Sequence, residues 1–461
     1  MSIQAHKSPS LLSVFLKGEA VSAFWNFLTK GIGLLNTFLT ITSLTLYQYG
    51  VFQLLLSFAG ISSDFLGLGS GVITNEMSRA VAEKRDSDAK RIFIEYSIVR
   101  FVIMTLTWSI VFFGATYVFR SYDVDFVKDM RVISFIFLSE GLFMIIRTLC
   151  LVKFEFSIVA LRASLSKFIQ SLILIYYFFQ GNLGLKQMIW SVVIASSLSV
   201  IIVLFKAISV YMKWNDVTAT KQVLLWKVFV NLGSWEVVRQ FINKITFRVK
   251  PWLIKLFIST EAVAIFSIAE TVVTTLQDVL PSSTIQSIVP SWVKDKDLST
   301  KMFSYGVKYF FLTGLIIMIG AYIIVPPVIH TFFTKYNESL PLFYLMAVNL
   351  PIFASGIIIG NYIIALRRQK YLFALHLFRS IVTLLVILCT IPFIGLWGLA
   401  IEFVLVPILM TIAYYQYTKN ENKGFHFDFD IIFGFKEEDK IILKKALGII
   451  GGWFKKFTFS F

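Results

Sequence analysis

Six polar and charged residues recur at helical spacing inside an apolar stretch of the chain: Glu236, Arg239, Gln240, Asn243, Lys244 and Arg248. Steps of three and four residues place them on one face of a helix. Cations held in apolar surroundings suit anionic ligands, with arginine acting as a planar fork and lysine as a point charge. The pattern therefore predicts a helix that presents positive charge to a polar ligand or a water-filled path.

The overall composition places this helix in a membrane. The chain of 461 residues is 57% hydrophobic and 15% charged, and its mean hydropathy is +0.76. A soluble domain is typically about 25% charged. Apolar runs of about 20 residues recur along the chain, as transmembrane helices require. We predict an all-α polytopic membrane protein with about 12 transmembrane helices.

Lysine and arginine concentrate in alternate loops between these runs. With a cytoplasmic N-terminus, the inner loops receive Arg79, Lys84, Arg85, Lys90, Arg91, Lys213, Lys221, Lys294, Lys296, Lys301, Arg367, Arg368 and Lys370. The outer loops receive only Arg120, Lys128, Lys186 and Lys335. This asymmetry predicts that both termini are cytoplasmic. The formal charge of +16 then has two sources: the cytoplasmic loops and tail, and the cations within the spans, which alone bear on the substrate. Nucleic acid is not expected as a partner.

The two halves of the chain show a weak internal repeat. A shift of 214 positions superimposes Lys30 on Lys244, Asn26 on Gln240 and Asp64 on Asp278; the alternative is a chance alignment. We predict two six-helix lobes, with spans 1–6 in residues 1–212 and spans 7–12 in residues 226–417. A cytoplasmic linker covers 213–225. The basic tail 418–461 ends in a segment, 440–461, whose composition is typical of a helix lying on the membrane surface.

Transporters built from repeats place the substrate between the two repeats. The predicted substrate cavity is formed by Asn26, Lys30, Arg147, Arg239, Gln240, Asn243, Lys244 and Arg248. Four acids are candidates for gating, or for coupling to an H+ or Na+ gradient: Asp64, Glu236, Asp278 and Glu402. The alternative for any single charge is a structural ion pair or a side chain that reaches the membrane interface. We expect no catalytic residue and no cofactor. Cys150 and Cys389 fall within spans, where we expect packed thiols, so neither a disulfide framework nor a metal site is predicted.

Short apolar and glycine-rich motifs resemble one known family. The residues Tyr49, Gly50, Val51 and Phe52 are followed by DFLGLGSGV at 64–72 and NEMSR at 75–79. Together they resemble the second helix and first cytoplasmic loop of Wzx-type O-antigen flippases, and AIFSIAE at 264–270 resembles the matching place in the second half of that family. The superfamily also contains the MATE exporters. The resemblance implies a MATE-like V shape and the flipping of undecaprenyl-diphosphate-linked oligosaccharides across the bacterial inner membrane, for O-antigen, lipopolysaccharide or other surface polysaccharide.

Other functions remain as alternatives. A MATE-like antiporter of cationic drugs would need an acidic cavity, whereas the charges within these spans are mainly basic. A lipid II flippase typically has two further spans, which would require residues 440–461 to insert. A membrane polymerase or glycosyltransferase usually has a large outer loop, and the outer loops here are short. We expect a monomer whose partners are membrane lipids, the lipid-linked oligosaccharide and other polysaccharide assembly proteins.

Overall fold

The structure is a computed structural model that describes residues 11–120, 122–212, 214, 217–228, 234–280, 296–366, 369–421 and 434. For Asn26, Glu236 and Arg239 it describes the helical backbone and not the side chain. Most of the predicted tail, including the expected surface helix at 440–461, lies outside the described residues.

The first half of the chain forms seven consecutive helices: α1 (Leu11–Ser43), α2 (Leu46–Gly67), α3 (Ser70–Ala82), α4 (Asp86–Val118), α5 (Val124–Val152), α6 (Phe156–Phe179) and α7 (Leu185–Met212). A short helix, α8 (Leu225–Val228), follows. The second half contains α9 (Ser234–Phe257), α10 (Thr260–Gln277), α11 (Lys296–Phe332), α12 (Ser339–Ala347), α13 (Asn349–Ala365), α14 (Gln369–Ile394) and α15 (Leu396–Glu421).

Nine helical runs in the described residues are long and apolar enough to cross a membrane. Two of them combine neighbouring helices: Leu46–Ala82 contains α2 and α3, and Ser339–Ala365 contains α12 and α13. The helices α1, α9 and α10, of 33, 24 and 18 residues, bring the number to twelve. The prediction of an all-α polytopic protein with about 12 spans is confirmed.

The helix ends reproduce the internal repeat. α1 ends at Ser43 and α9 at Phe257, 214 positions later. The next helices begin with the same capping contact: the Gln48 amide donates to Thr45 Oγ1 (3.2 Å), and the Ala262 amide donates to Ser259 Oγ (3.1 Å). A polar cap of this kind satisfies a backbone amide that has no partner inside the helix. Because α4 and α11 also end 214 positions apart, at Val118 and Phe332, the repeat extends through the third span of each half.

Contacts divide the described chain into two compact units. The first extends to Glu270 and also includes Pro326–Leu342 and His376–Glu402. Its core joins α1, α2, α5 and α7 through residues such as Leu55, Phe137 and Met188. The second comprises Thr271–Val325, Phe343–Leu375 and the chain from Phe403 onward. Within it, Phe303, Val307, Ile358, Ile359 and Tyr362 form a buried cluster. The two predicted lobes, with their boundary at 213–225, stay a prediction.

The second span is broken near one end. α2 stops at Gly67, and Gly69 adopts the left-handed region (φ 74°) before α3 starts at Ser70. Glycine adopts this conformation without the cost that a Cβ imposes. The carbonyls left free at the break accept hydrogen bonds from Arg100, whose Nη1 donates to Leu66 and whose Nη2 donates to Leu68 at 3.0 Å. Arg100 is 5% exposed, so this buried guanidinium is a structural cap.

The predicted linker packs on the start of α4. Lys90 Nζ donates to the carbonyls of Trp214 (2.7 Å) and Val217 (2.9 Å). The Glu95 carboxylate accepts the amides of Leu224 (3.1 Å) and Leu225 (2.8 Å), where α8 begins. These contacts satisfy backbone groups of the linker and fix its described residues to the first unit.

Candidate functional site

The helix predicted from the polar stripe is α9. It extends over 24 residues, or about 36 Å, which is long enough to cross the hydrocarbon core. Its sequence contains five cations: Arg239, Lys244, Arg248, Lys250 and Lys255. The structure describes the side chains of the last four. Pro251 lies inside the helix, and because proline has no amide hydrogen, the Phe247 carbonyl has no helical donor there.

Two cations of α9 share one carboxylate of α2. Lys244 Nζ lies 3.0 Å from Asp64 Oδ1, and Arg248 Nε lies 3.3 Å from Asp64 Oδ2. Lysine and arginine are 39% and 46% exposed, and the aspartate is 25% exposed. The cluster of Asp64, Lys244 and Arg248 therefore carries one net positive charge and remains open to a ligand.

Close packing of α2 on α9 positions Arg248. Ser57 of α2 donates a hydrogen bond to the backbone carbonyl of Arg248. One turn further, Gly60 leaves the space that the guanidinium fills, since a Cβ at that position would lie 2.5 Å from Arg248 Cζ. Gly67 lies near the same cluster, and a Cβ there would be 3.8 Å from Lys244 Nζ. Small residues on α2 thus bring the helix backbone close to both cations.

The opposite side of α9 holds a second, buried ion pair. Lys250 Nζ donates to Glu402 Oε2 at 2.6 Å, and Thr383 donates to Glu402 Oε1 at 3.1 Å. The lysine and glutamate are 2% and 3% exposed. Glu270 of α10 is close enough to interact electrostatically with Lys250 and Glu402. Because an unpaired charge at this depth would be costly, the pair fixes α9 to α15.

Asn243 is directed toward α14 rather than toward α2. Its Nδ2 lies 3.1 Å from His376 Nδ1, and Ser380 donates to its Oδ1 at 3.4 Å. The Arg379 guanidinium lies over the Phe247 ring, 4.9 Å from its centroid, a distance at which cation and ring attract. The polar stripe therefore divides: Lys244 and Arg248 face α2, and Asn243 faces α14.

Further cations lie on α5 and α6. Arg162 pairs with Glu140 and also donates to Ser196 at 3.1 Å. Arg147 is exposed and makes no hydrogen bond or ion pair with the residues that the structure describes. It lies one turn from Met144, whose methyl group approaches Gly67 beside Lys244. Arg147 is five residues from the end of α5, so it lies about 8 Å from that end and not at the centre of the span.

An apolar groove adjoins the Asp64, Lys244 and Arg248 cluster. This α2–α4–α9 groove has a volume of about 200 Å³, and its polar lining includes Asp64 and Lys244. Its apolar lining comprises Ile61 and Phe65 of α2, Leu68 just after α2, Ile110 and Val111 of α4, and Phe241 and Ile245 of α9. Phe65, Ile110 and Phe241 are 46%, 69% and 40% exposed, so the groove opens at the apolar surface of the helices.

The remaining predicted residues are dispersed. Lys30 is exposed in the middle of α1, next to Thr29, which contacts Ser164 of α6 at 2.6 Å. Gln240 is half-buried on α9. Asp278 lies just beyond the end of α10, exposed, in the second unit. For Asn26, Arg239 and Glu236 the side chains lie outside the described part, so their roles stay predictions.

Lys250 is a residue that the sequence analysis missed. It lies seven positions after Asn243, two helical turns along the same face, and it directly precedes Pro251. That spacing was visible in the sequence, but nothing there indicated that its partner would be Glu402. Sequence alone also gave no reason to assign Gly60, because its role depends on the side chain that fills the neighbouring space.

The helical arrangement is that of a known class of membrane transporters. It is similar to the inward-facing form of a multidrug resistance MATE family transporter of the MOP superfamily: the TM-score is 0.71 over 86% of this chain and 94% of that chain, at 12% identity. The inward closed form of the lipid II flippase MurJ gives 0.69 over 96% and 93%, at 14% identity. At identities this low, the structural similarity establishes a shared fold and does not by itself establish a shared substrate.

A third similar structure is a MOP superfamily transporter from Pyrococcus furiosus, described by the reverse polarity of its binding pocket. Its TM-score is 0.59 over 88% of this chain and 93% of that chain, at 13% identity. A comparison with curated proteins finds no match.

Residues 15–295 match the family model described as polysaccharide biosynthesis protein. The match covers more than half of the chain, and the chain therefore belongs to this family, as the resemblance in the motifs at 49–79 and 264–270 predicted. It is a multi-pass membrane protein with the fold of transporters and flippases, and its relatives are not enzymes.

Proposed function

We propose that this protein flips undecaprenyl-diphosphate-linked oligosaccharides across the bacterial inner membrane by alternating access, in the biosynthesis of O-antigen or another surface polysaccharide. The observation that carries the proposal is the sharing of Asp64 by Lys244 and Arg248. One acid cannot neutralise two cations, and the cluster is open enough for a diphosphate to supply the missing negative charge.

Cations elsewhere in the first unit support an anionic cargo. Arg147 is exposed one turn from Met144, whose methyl group approaches Gly67 of α2, and Lys30 is exposed on α1. The acids that the structure describes nearby are engaged, since Glu140 pairs with Arg162 and Glu402 with Lys250. A cationic drug would meet repulsion at this cluster, whereas a diphosphate would be attracted.

In the proposed cycle, the diphosphate and first sugars enter the cavity from the cytoplasmic side while the polyprenyl chain stays in lipid. Binding neutralises Lys244 and Arg248, which lowers the cost of closing the inner side around them. Outward opening then releases the head group. A H+ or Na+ gradient would drive the cycle by binding the two states unequally, and Asp64, Glu236, Asp278 and Glu402 remain the candidate acids.

We further propose that the protein acts as a monomer, with both termini cytoplasmic, and that other polysaccharide assembly proteins receive its product. A lipid II flippase would use the same diphosphate chemistry. The two differ in the sugars carried, so a transport assay with both lipids separates them.

The test uses purified protein in proteoliposomes that contain a fluorescent polyprenyl-diphosphate oligosaccharide. Flipping is measured as the fraction of head group that becomes accessible to an added glycosidase. We expect activity with the oligosaccharide lipid and little with lipid II. If only lipid II is flipped, the cargo is lipid II and not the proposed oligosaccharide lipid. If cationic dyes are exported and no lipid is flipped, the protein is a drug antiporter and the proposal is overturned.

A further inference from the structure

The α2–α4–α9 groove places hydrocarbon-lined space directly beside a cation. Phe241 lies one turn before Lys244 on α9, and Phe65 follows Asp64 on α2. No polar segment separates the charged lining from these rings. A ligand that fits both parts must therefore carry its negative charge on an atom close to the start of its hydrocarbon chain.

We propose that the groove binds the first isoprenoid units of a polyprenyl diphosphate, whose diphosphate lies at Lys244 and Arg248. This inference rests on the proposed function and adds a site for the lipid part of the cargo. It also assigns a role to α4, which none of the predicted cavity residues implicated.

The lining argues for a hydrocarbon occupant. Seven apolar side chains form most of the wall, and Ser62 and Thr107 add only two hydroxyl groups, so a sugar placed there would lose most of its hydrogen bonds to water without replacement. The lining follows about two turns at the end of α2 and the residue after it, from Ile61 to Leu68. This is a short site, suited to the part of the chain nearest the diphosphate, and the rest of the chain would continue into lipid past the exposed Ile110.

Charge argues for a diphosphate at the polar side of the groove. Lys244 and Arg248 share Asp64, so a ligand with two or more negative charges can engage both cations. An ordinary phospholipid also joins phosphate to hydrocarbon, but its glycerol esters stand between the two. The groove offers the immediate junction of charge and apolar wall that a polyprenyl diphosphate has.

Site-specific photo-crosslinking tests this assignment. A photoreactive phenylalanine analogue is placed at Ile110, and in a matched variant at Leu106, one turn earlier on α4. Leu106 is 56% exposed against 69% for Ile110, but it does not line the groove. Each variant is reconstituted with undecaprenyl diphosphate and phosphatidylglycerol, irradiated, and its adducts are identified by mass spectrometry.

We expect an undecaprenyl diphosphate adduct at position 110 that excess phosphatidylglycerol does not remove, and only phospholipid adducts at position 106. The Lys244→Glu variant should lose the adduct at 110 and keep the phospholipid adducts at 106. Equal adducts at both positions, or phospholipid alone at 110, would overturn the groove. The flipping assay with the wild-type protein separates this inference from the proposed function. If the wild-type protein flips the lipid but the adducts do not form as expected, only the groove is refuted. If the wild-type protein does not flip the lipid, the proposed function is refuted.

Discussion

Lys244 of α9 lies 3.0 Å from Asp64 of α2, and Arg248 approaches the same carboxylate at 3.3 Å. The three side chains are partly exposed, so water screens their attraction. Such a pair stabilises a fold by about 0.2–1 kcal/mol. An excess cation that contributes so little to stability is better explained by ligand binding than by folding.

Reversing the charge at Lys244 should therefore separate transport from stability. In Lys244→Glu, two carboxylates face the diphosphate and flipping should be lost, while the thermal unfolding temperature in detergent changes little. Lys244→Arg keeps the charge and should retain most of the activity. Lys221→Glu, at an exposed side chain of the linker, is the control for a change of net charge. Normal flipping by Lys244→Glu would rule out the cluster as the anion site.

Two glycines of α2 should respond differently to alanine. In Gly60→Ala the new methyl group meets the flexible end of Arg248, which can move away from Asp64. Stability should be almost unchanged, and the apparent affinity for the lipid-linked substrate should fall.

In Gly50→Ala the methyl group would lie 2.0 Å from the backbone oxygen of Thr260. A backbone atom cannot move aside so easily, and overpacking of this kind costs about 1–3 kcal/mol. Thermal unfolding should show the loss at position 50 and not at position 60. A larger loss of stability in Gly60→Ala would contradict the assigned role of that space.

Lys250 and Glu402 should show strong coupling in a double-mutant cycle. Lys250→Met leaves a buried carboxylate without its partner and should destabilise the protein by about 3–5 kcal/mol. Lys250→Met combined with Glu402→Leu removes both charges and should recover most of that loss in thermal unfolding.

Transport by the double variant tests whether Glu402 also couples to an ion gradient. We expect stable protein that flips lipid without a response to an imposed H+ or Na+ gradient. An unchanged response would restrict the pair to a structural role and leave Asp64, Glu236 and Asp278 as the candidate acids.

The break between α2 and α3 should depend on Arg100. Arg100→Gln removes donors from the buried carbonyls of Leu66 and Leu68, and unsatisfied groups of this kind cost about 1–3 kcal/mol each. Gly69→Ala forces a side chain into the left-handed region, at about 1–2 kcal/mol. Both losses are measurable by thermal unfolding. A fully stable Arg100→Gln would show that other donors satisfy the break.

The sequence predicted the class of fold because hydropathy, loop charge and the 214-residue repeat are local or periodic signals. It also identified Lys244, Arg248 and Asp64 as separate candidates. It did not pair them, since α2 and α9 are distant in the chain and their contact depends on tertiary packing. For the same reason the polar stripe was expected to face one way, whereas Asn243 contacts His376 and Ser380 on α14.

Glu402 shows the opposite case. Its position in an apolar span indicated a functional acid, but its partner Lys250 was not among the candidates. Buried ion pairs are set by which helices adjoin, and neither residue type nor spacing encodes that neighbour.

The capping contacts of Thr45 and Ser259 have an implication for the origin of this chain. If the two halves descend from a duplicated gene, their common ancestor was a protein of about half the length that assembled as a pair of identical subunits. Asp64 belongs to the first half and Lys244 to the second. Their counterparts in the other half are Asp278 and Lys30, respectively. In that ancestor the charge pair would have joined two subunits, and fusion of the genes turned an interface into an interior.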